Sequence, residues 1–371
     1  MFFDVDIIGD RLPQGTLCFT YDDGPGRSGG GEDDPGPRTA ELGAFLHSQG
    51  VPATFFVVGK FAEKFADILA GLRSRGHLVA NHTFDHPSLP AFVARGDDVF
   101  GQIARTDAAI GDHVKGCPTF FRAPYGDWRL RGQSRSNVAV VLNRSALAES
   151  HVGPIGWDID AGDVGFWRDD RSTEECARAY LETIERVGRG IVLMHDSTAD
   201  IEEIRPKNRA LGLARLLVPE LRRRGYRFVR LDAVPQVASA ARVSFQVTLV
   251  ACDGGFVSAS PNGSDVRITQ RPALDADAIW GAVVLGENRW ALRSTHGLYL
   301  SPRMGGEVFA DASACGAREI LALVPLGDRR IALRTRSGTY LTRGQGEGAR
   351  LRADAPSPDA RETFILDNPF R

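Results

Sequence analysis

The sequence predicts an α/β barrel followed by a second, all-β barrel with threefold repetition. Three observations lead there. Strand-like and helix-like segments alternate from residue 16 to residue 231, a pattern that implies a parallel sheet or barrel. Polar and ionisable residues gather at the C-terminal ends of the strand-like runs. Beyond residue 242 the helical period disappears, and a unit of roughly forty residues recurs three times. A length of 371 residues fits two domains better than one. The divisions expected are 1–236 and 243–371.

The strand-like runs are 16–21, 53–58, 77–81, 119–122, 155–160, 190–195 and 226–231, short stretches rich in apolar and β-branched residues. Helix-like stretches at 37–49, 61–75, 92–113, 172–187 and 208–224 lie between them. The last carries Leu211, Leu213, Leu216, Leu217 and Leu221, an Arg-rich end and Gly225 as its stop. Residues 26–37, GRSGGGEDDPGP, read as a mobile loop.

In the second part Val247-x-Leu249, Trp290-x-Leu292 and Ile331-x-Leu333 correspond. So do Gly254-x-Phe256-Val257-Ser258, Gly297-x-Tyr299-Leu300-Ser301 and Gly338-x-Tyr340-Leu341-Thr342, with glycine spacings of 43 and 41. Trp280, Leu321 and Phe364 recur near the end of each unit. One such unit cannot bury its own apolar face, whereas three can close on a shared core. Phe256, Tyr299 and Tyr340 are expected in that core because their positions recur with the period. A plain β-sandwich is the alternative.

Composition excludes several classes. Apolar residues at 43% and charged residues at 25% suit a chain that buries a core. A net charge of −2 gives no general pull toward nucleic acid or an anionic membrane. No long uncharged apolar run is present, so no membrane-spanning segment is expected. Cys18, Cys117, Cys176, Cys252 and Cys315 are widely spaced, odd in number and without a CxxC pair, so neither a disulfide framework nor a Cys-rich metal site is expected. Residues 1–10 carry Asp4, Asp6 and Asp10 and lack a basic stretch followed by an apolar core. They do not read as a secretory signal. A cytoplasmic location is the default expectation, and an extracellular or cell-wall one the alternative if a leader is removed or export takes another route.

Five strand ends deliver chemistry: Asp22-Asp23-Gly24, His82 to His86, Arg122 to Gly126, Asp160 to Asp163, and His195-Asp196. In a parallel barrel these ends share one face, where active sites sit. His82 and His86 are four apart, so one helical turn or tight loop sets both imidazoles on one side. With a carboxylate from Asp22, Asp23 or Asp85 they make a two-His-one-carboxylate metal set with open positions. Adjacent Asp22 and Asp23 would repel in one buried site. A divalent cation and a bidentate Arg122 relieve that repulsion. His195 ends a buried apolar run and needs a partner. Asp163 or Asp160 can bond its ring N–H and keep it protonated as a general acid. His47, His77, His113, His151 and His296 have no such partners and read as structural.

Taken in order, Thr20-Tyr21-Asp22-Asp23-Gly24-Pro25, His82-Thr83-x-x-His86, Arg122-x-Pro124-Tyr125-Gly126, Asp160-x-x-Asp163 and Leu193-x-His195-Asp196 look like the five motifs of the polysaccharide deacetylases, the NodB-homology, family 4 carbohydrate esterases. The resemblance covers about residues 14 to 232 and implies a distorted (β/α) barrel. It implies that Asp23, His82 and His86 bind a divalent metal, zinc first, with cobalt, manganese, nickel or iron(II) as alternatives. It implies Asp22 as general base oriented by Arg122, the Tyr125 N–H as an oxyanion donor, and His195 as general acid steered by Asp163. Leu193, Tyr125 and Trp157 are the expected substrate contacts, with Leu193 at the acetyl methyl. Tyr21 stands where the family usually has Phe. Val164 stands where it commonly has Trp, with Trp167 the nearest candidate to supply that packing.

The second part resembles the fascin-like β-trefoil modules over about residues 243–371, through its Gly-x-aromatic-aliphatic-Ser/Thr repeat. Such modules bind polysaccharide or protein partners. The function expected is metal-dependent removal of N-acetyl groups from N-acetylglucosamine-containing glycan, chitin- or peptidoglycan-like, with release of acetate. The partner expected is the acetylated glycan, not nucleic acid. The alternatives are an O-acetyl esterase on acetylated xylan-type glycans and a glycan-binding protein with an impaired barrel.

Overall fold

A computed structural model describes residues 1–369 except 32–33, 115–117, 134, 271–274, 287 and 345–347. Cys117 and part of the loop at 26–37 lie outside the described residues. Among the described residues the first part carries eight strands: β1 (Phe2–Ile7), β2 (Thr16–Asp22), β3 (Ala53–Val57), β4 (Leu78–Asn81), β5 (Thr119–Phe120), β6 (His151–Ile155), β7 (Gly190–His195) and β8 (Arg227–Phe228). Every pairing among them is parallel. Parallel strands are covered on both faces, which is why they read as unbroken apolar runs. All seven residues of β2 are buried.

The strands form two sheets, β1-β6-β5 and β4-β3-β2-β7, with β8 against the start of β2. Single bridges, Asn81 to Phe121 and Ile159 to Val192, join the two sheets. The wall is therefore a barrel broken at two seams, the distorted (β/α) barrel expected. Outer helices pack on it through one apolar stripe each. Helix Thr173–Val187 starts at a Ser172–Glu175 capping box, stops at left-handed Gly188, and buries Cys176, Ala177, Tyr180 and Ile184. Helix Ala210–Arg223 buries Leu213, Leu217 and Leu221 against the same core.

Several local expectations are corrected. The run at 155–160 is not the strand. The strand is β6, one segment earlier, where Gly153-Pro154 reads as a breaker. The β1 register shifts between Phe2–Gly153 and Ile7–Ile155, the pairs on either side of Pro154. The N-terminal β1 was not among the expected strands, although Phe3-Asp4-Val5-Asp6-Ile7 alternates apolar and acidic residues. The stretch at 61–75 is two helices, Gly59–Lys64 and Ala66–Ser74, parted at non-helical Phe65. The stretch at 92–113 is Leu89–Ala94 and Val99–Ile110, the second capped by the Asp98 side chain on the Gly101 N–H.

Among the described residues twelve strands lie between Phe245 and Asp367, and all their pairings are antiparallel. Six of them close a ring: Phe245–Ala251, Trp280–Val284, Arg289–Ser294, Leu321–Gly327, Arg330–Arg334 and Phe364–Asp367, the last pairing back onto the first. The other six make three hairpins, linked by bridges Arg267 to Arg350 and Glu307 to Arg352. This is the threefold β-trefoil arrangement. Trp280, Leu321 and Phe364 are fully buried at its centre with Val257, Leu300 and Leu341. The repeat aromatics differ from expectation. Tyr299 is buried, but Phe256 and Tyr340 are half-buried, and the aliphatic residue after each aromatic is the core member. Among the described residues no helix is long and apolar enough to cross a membrane.

Candidate active site

Strand ends set the groups of the site. Asp22 is the last residue of β2, and Asp23 turns away in a left-handed conformation at φ 75°. Gly24 is required next. A Cβ there would meet Asp196 Oδ2 at 2.0 Å. Beyond β4 the chain makes a tight turn rather than a helix. Asn81 Oδ1 accepts the Thr83 N–H at 2.9 Å, Thr83 Oγ1 accepts the His86 N–H at 3.2 Å, and Gln102 Oε1 accepts the N–H groups of Phe84 and Asp85. This turn brings the His82 and His86 rings to 4.9 Å between centroids. Asp23, Thr83, His86 and Tyr125 all have positive φ. Each such non-glycine residue costs on the order of 1–3 kcal/mol, held by the surrounding bonds.

Asp23, His82 and His86 converge, with one potential ligand atom from each lying within 4.8 Å of the others. Asp23 Oδ1 lies 3.6 Å from His82 Nε2 and 3.1 Å from His86 Nε2. It is buried and accepts no hydrogen bond among the described residues. Burial alone would raise the Asp23 pKa, yet the two imidazoles hold it well below the usual carboxylate range. The far ring nitrogens are engaged. His82 Nδ1 is 2.9 Å from the Arg122 carbonyl and His86 Nδ1 is 2.5 Å from Asp200 Oδ2. A ring that donates from Nδ1 presents the Nε2 lone pair inward. Burial lowers the His86 pKa, but the Asp200 and Asp23 carboxylates raise it to about 9. The field that favours a proton there favours a cation in its place. One unpaired carboxylate oxygen and two inward imidazole nitrogens fit a divalent metal. Asp85 is not part of the set. Its carboxylate takes Gln102 Nε2 at 3.0 Å and faces Arg105.

On one flank, Arg122 Nη1 donates to Asp22 Oδ1 at 2.7 Å and to Thr20 Oγ1 at 2.9 Å. Its Nε and Nη2 go to the carbonyls of Ile155 and Gly156, both at 3.0 Å. The expected bidentate grip on Asp22 is therefore corrected to a single bond, since the rest of the fork is spent on backbone. Asp22 Oδ2 faces His82 Nε2 at 3.6 Å. On the other flank, Asp163 binds His195 twice, Oδ1 on the ring Nδ1 at 2.8 Å and Oδ2 on the backbone N–H at 2.8 Å. Burial would lower the His195 pKa, but Asp163 overrides it and pushes the ring up to about 10. The other option, Asp160, instead accepts the Gly162 N–H.

Asp22, Asp23, His82, His86, Asp163 and His195 line a cavity of about 530 Å³ with Tyr125, Trp157, Asp160, Val164, Leu193 and the segment Thr198–Ile201. Trp157 lies against Gly126, beneath the Arg122 guanidinium. Trp167 does not replace a wall. It is buried in the core, and Val164 itself faces the cavity. Sequence reasoning missed Asn81, Gln102, Ala199 and Asp200. Asn81 reads as an ordinary polar strand end and Gln102 as an ordinary polar helix residue, and the last two sit in a loop with no motif.

The polysaccharide deacetylase family profile matches residues 9–137, and the FRG1-like domain profile matches residues 251–349. The chain is 30% identical over 220 residues to the chitooligosaccharide deacetylase of Azorhizobium caulinodans, covering 57% of this chain and 91% of that protein. It is 30% identical over 217 residues to chitin deacetylase 1 of Saccharomyces cerevisiae, covering 55% of this chain and 62% of that protein. It is 26% identical over 229 residues to the peptidoglycan-N-acetylglucosamine deacetylase of Bacillus cereus, covering 60% of this chain and 69% of that protein. With the barrel and its Asp/His/His cluster, these matches mean that the chain belongs to the polysaccharide deacetylase family, with an FRG1-like β-trefoil behind the barrel.

Proposed function

We propose that this chain removes N-acetyl groups from N-acetylglucosamine-containing glycans, chitin- or peptidoglycan-like, and releases acetate. One observation carries the reading. A single cavity holds the Asp23, His82 and His86 set between an arginine-bound carboxylate and an aspartate-bound histidine.

Asp23, His82 and His86 would hold the cation, and two imidazoles with one carboxylate suit zinc first. A divalent cation supplies Lewis acidity there, acidifying water and polarising the acyl oxygen. Asp22, aimed by Arg122, accepts the proton of the attacking water. The Tyr125 N–H, on the turn Pro124–Gly126, donates to the developing oxyanion. Leu193 and Trp157 hold the acetyl and sugar faces. His195 carries a proton at neutral pH and gives it to the departing nitrogen. An amine leaves poorly without that proton, so a histidine kept protonated suits amide cleavage more than ester cleavage.

The division into 1–236 and 243–371 belongs to the same reading, supported by the change from parallel to antiparallel pairing between Phe228 and Phe245. In this reading the trefoil holds polysaccharide or a protein partner, as its likeness to carbohydrate- and protein-binding modules suggests. Acetate release measured side by side on N-acetylglucosamine oligomers and acetylated xylan tests the substrate class. Release from the oligomers is expected. Release from xylan alone, or from neither, contradicts the proposal.

A further inference from the structure

The loop after β7 touches the metal set in two places. The Ala199 N–H donates to Asp23 Oδ2 at 3.1 Å, leaving Oδ1 as the inward oxygen. Asp200 Oδ2 lies 2.5 Å from His86 Nδ1 and also accepts the Tyr125 hydroxyl. Arg205 clamps the same segment, with Nε on the Thr198 carbonyl at 3.0 Å and Nη2 on the Ala199 carbonyl at 3.2 Å. Its guanidinium rests over Phe61, 4.9 Å from the ring centre.

We propose that Thr198–Asp200 is a strap that orients two of the three metal ligands, with Asp200 the positioning residue for His86. This rests on the metal-site reading above. Asp200 occupies the Nδ1 edge of the ring and Asp23 the Nε2 edge, so Asp200 is a partner of the ligand and not a fourth ligand. The two histidines are supported differently. His82 donates to the Arg122 backbone carbonyl, a neutral acceptor. His86 donates to a carboxylate, which fixes the tautomer, holds the ring angle and raises the basicity of Nε2. The Tyr125 ring packs edge-on against His86 at 4.6 Å. One carboxylate thus ties a metal ligand to the residue read as the oxyanion donor.

The test is zinc affinity of the full chain, read by competition with a chromophoric chelator, with thermal unfolding of the metal-free protein as a check on folding. Asp200→Ala is expected to weaken zinc binding by about 10–100-fold while the metal-free protein still unfolds cooperatively. Asp200→Asn, whose amide oxygen still accepts from Nδ1–H, recovers part of that loss. Tyr125→Phe, which leaves the carboxylate on His86, stays within about threefold of the parent. Zinc affinity unchanged in Asp200→Ala, or Asp200→Asn no better than Asp200→Ala, overturns the strap alone. A parent chain that binds no zinc overturns the metal-site reading as well.

Discussion

Asp22→Asn lowers acetate release by about 10²–10⁴-fold, the range of a lost general base, while zinc still binds. The substitution keeps size and shape, so the Arg122 donor retains an oxygen acceptor at the place of Asp22 Oδ1. The amide cannot take a proton from water. The metal set is untouched, because Asp23 supplies the carboxylate oxygen between the two imidazoles. Acetate release and zinc titration on the same preparation check both halves. Activity within tenfold of the parent removes Asp22 from the base role, and loss of zinc binding shows that it belongs to the ligand set instead.

Arg122→Met has the largest effect on stability together with loss of turnover. The side chain is fully buried and makes four hydrogen bonds, to Asp22, Thr20, Ile155 and Gly156. Methionine fills similar space but strands a buried carboxylate and two backbone carbonyls. Breaking one side of a buried pair costs about 3–5 kcal/mol. Chemical denaturation is expected to show a loss of that order, and acetate release falls because Asp22 is no longer aimed. Arg122→Lys restores the charge but not the fork, so it recovers stability more than activity. Parent-like stability in Arg122→Met contradicts the geometry described.

The sequence carried the barrel and its site wherever a group sits at a strand end. Asp22, His82, Arg122 and His195 each follow a short apolar run, and parallel strands bring such ends to one face, whereas Asp163 opens the short helix Asp163–Arg168 and was legible only through its motif. The trefoil was legible because its period recurs in residues such as Trp280, Leu321 and Phe364, which the fold buries identically. The limits have physical causes. β6 contains Gly153-Pro154, which local propensity reads as a break, although the strand pairs with β1 on either side of the proline. The turn that pairs His82 with His86 depends on Asn81 and on Gln102, a helix residue sixteen positions beyond His86, and no local spacing reveals that contact. Asp200 meets His86 across 114 residues of chain. The number of bonds Arg122 gives to Asp22 depended on carbonyls no motif encodes.

The proposed chemistry requires one cation held by Asp23, His82 and His86. The most direct measurement is acetate release from an N-acetylglucosamine oligomer by the full chain, first stripped with chelator and then given increasing zinc. Turnover should vanish on stripping and return with saturation near one ion per chain, and a His82→Ala, His86→Ala double variant should not regain it. Turnover that survives stripping, or that zinc restores in the double variant, would show that no such cation is needed.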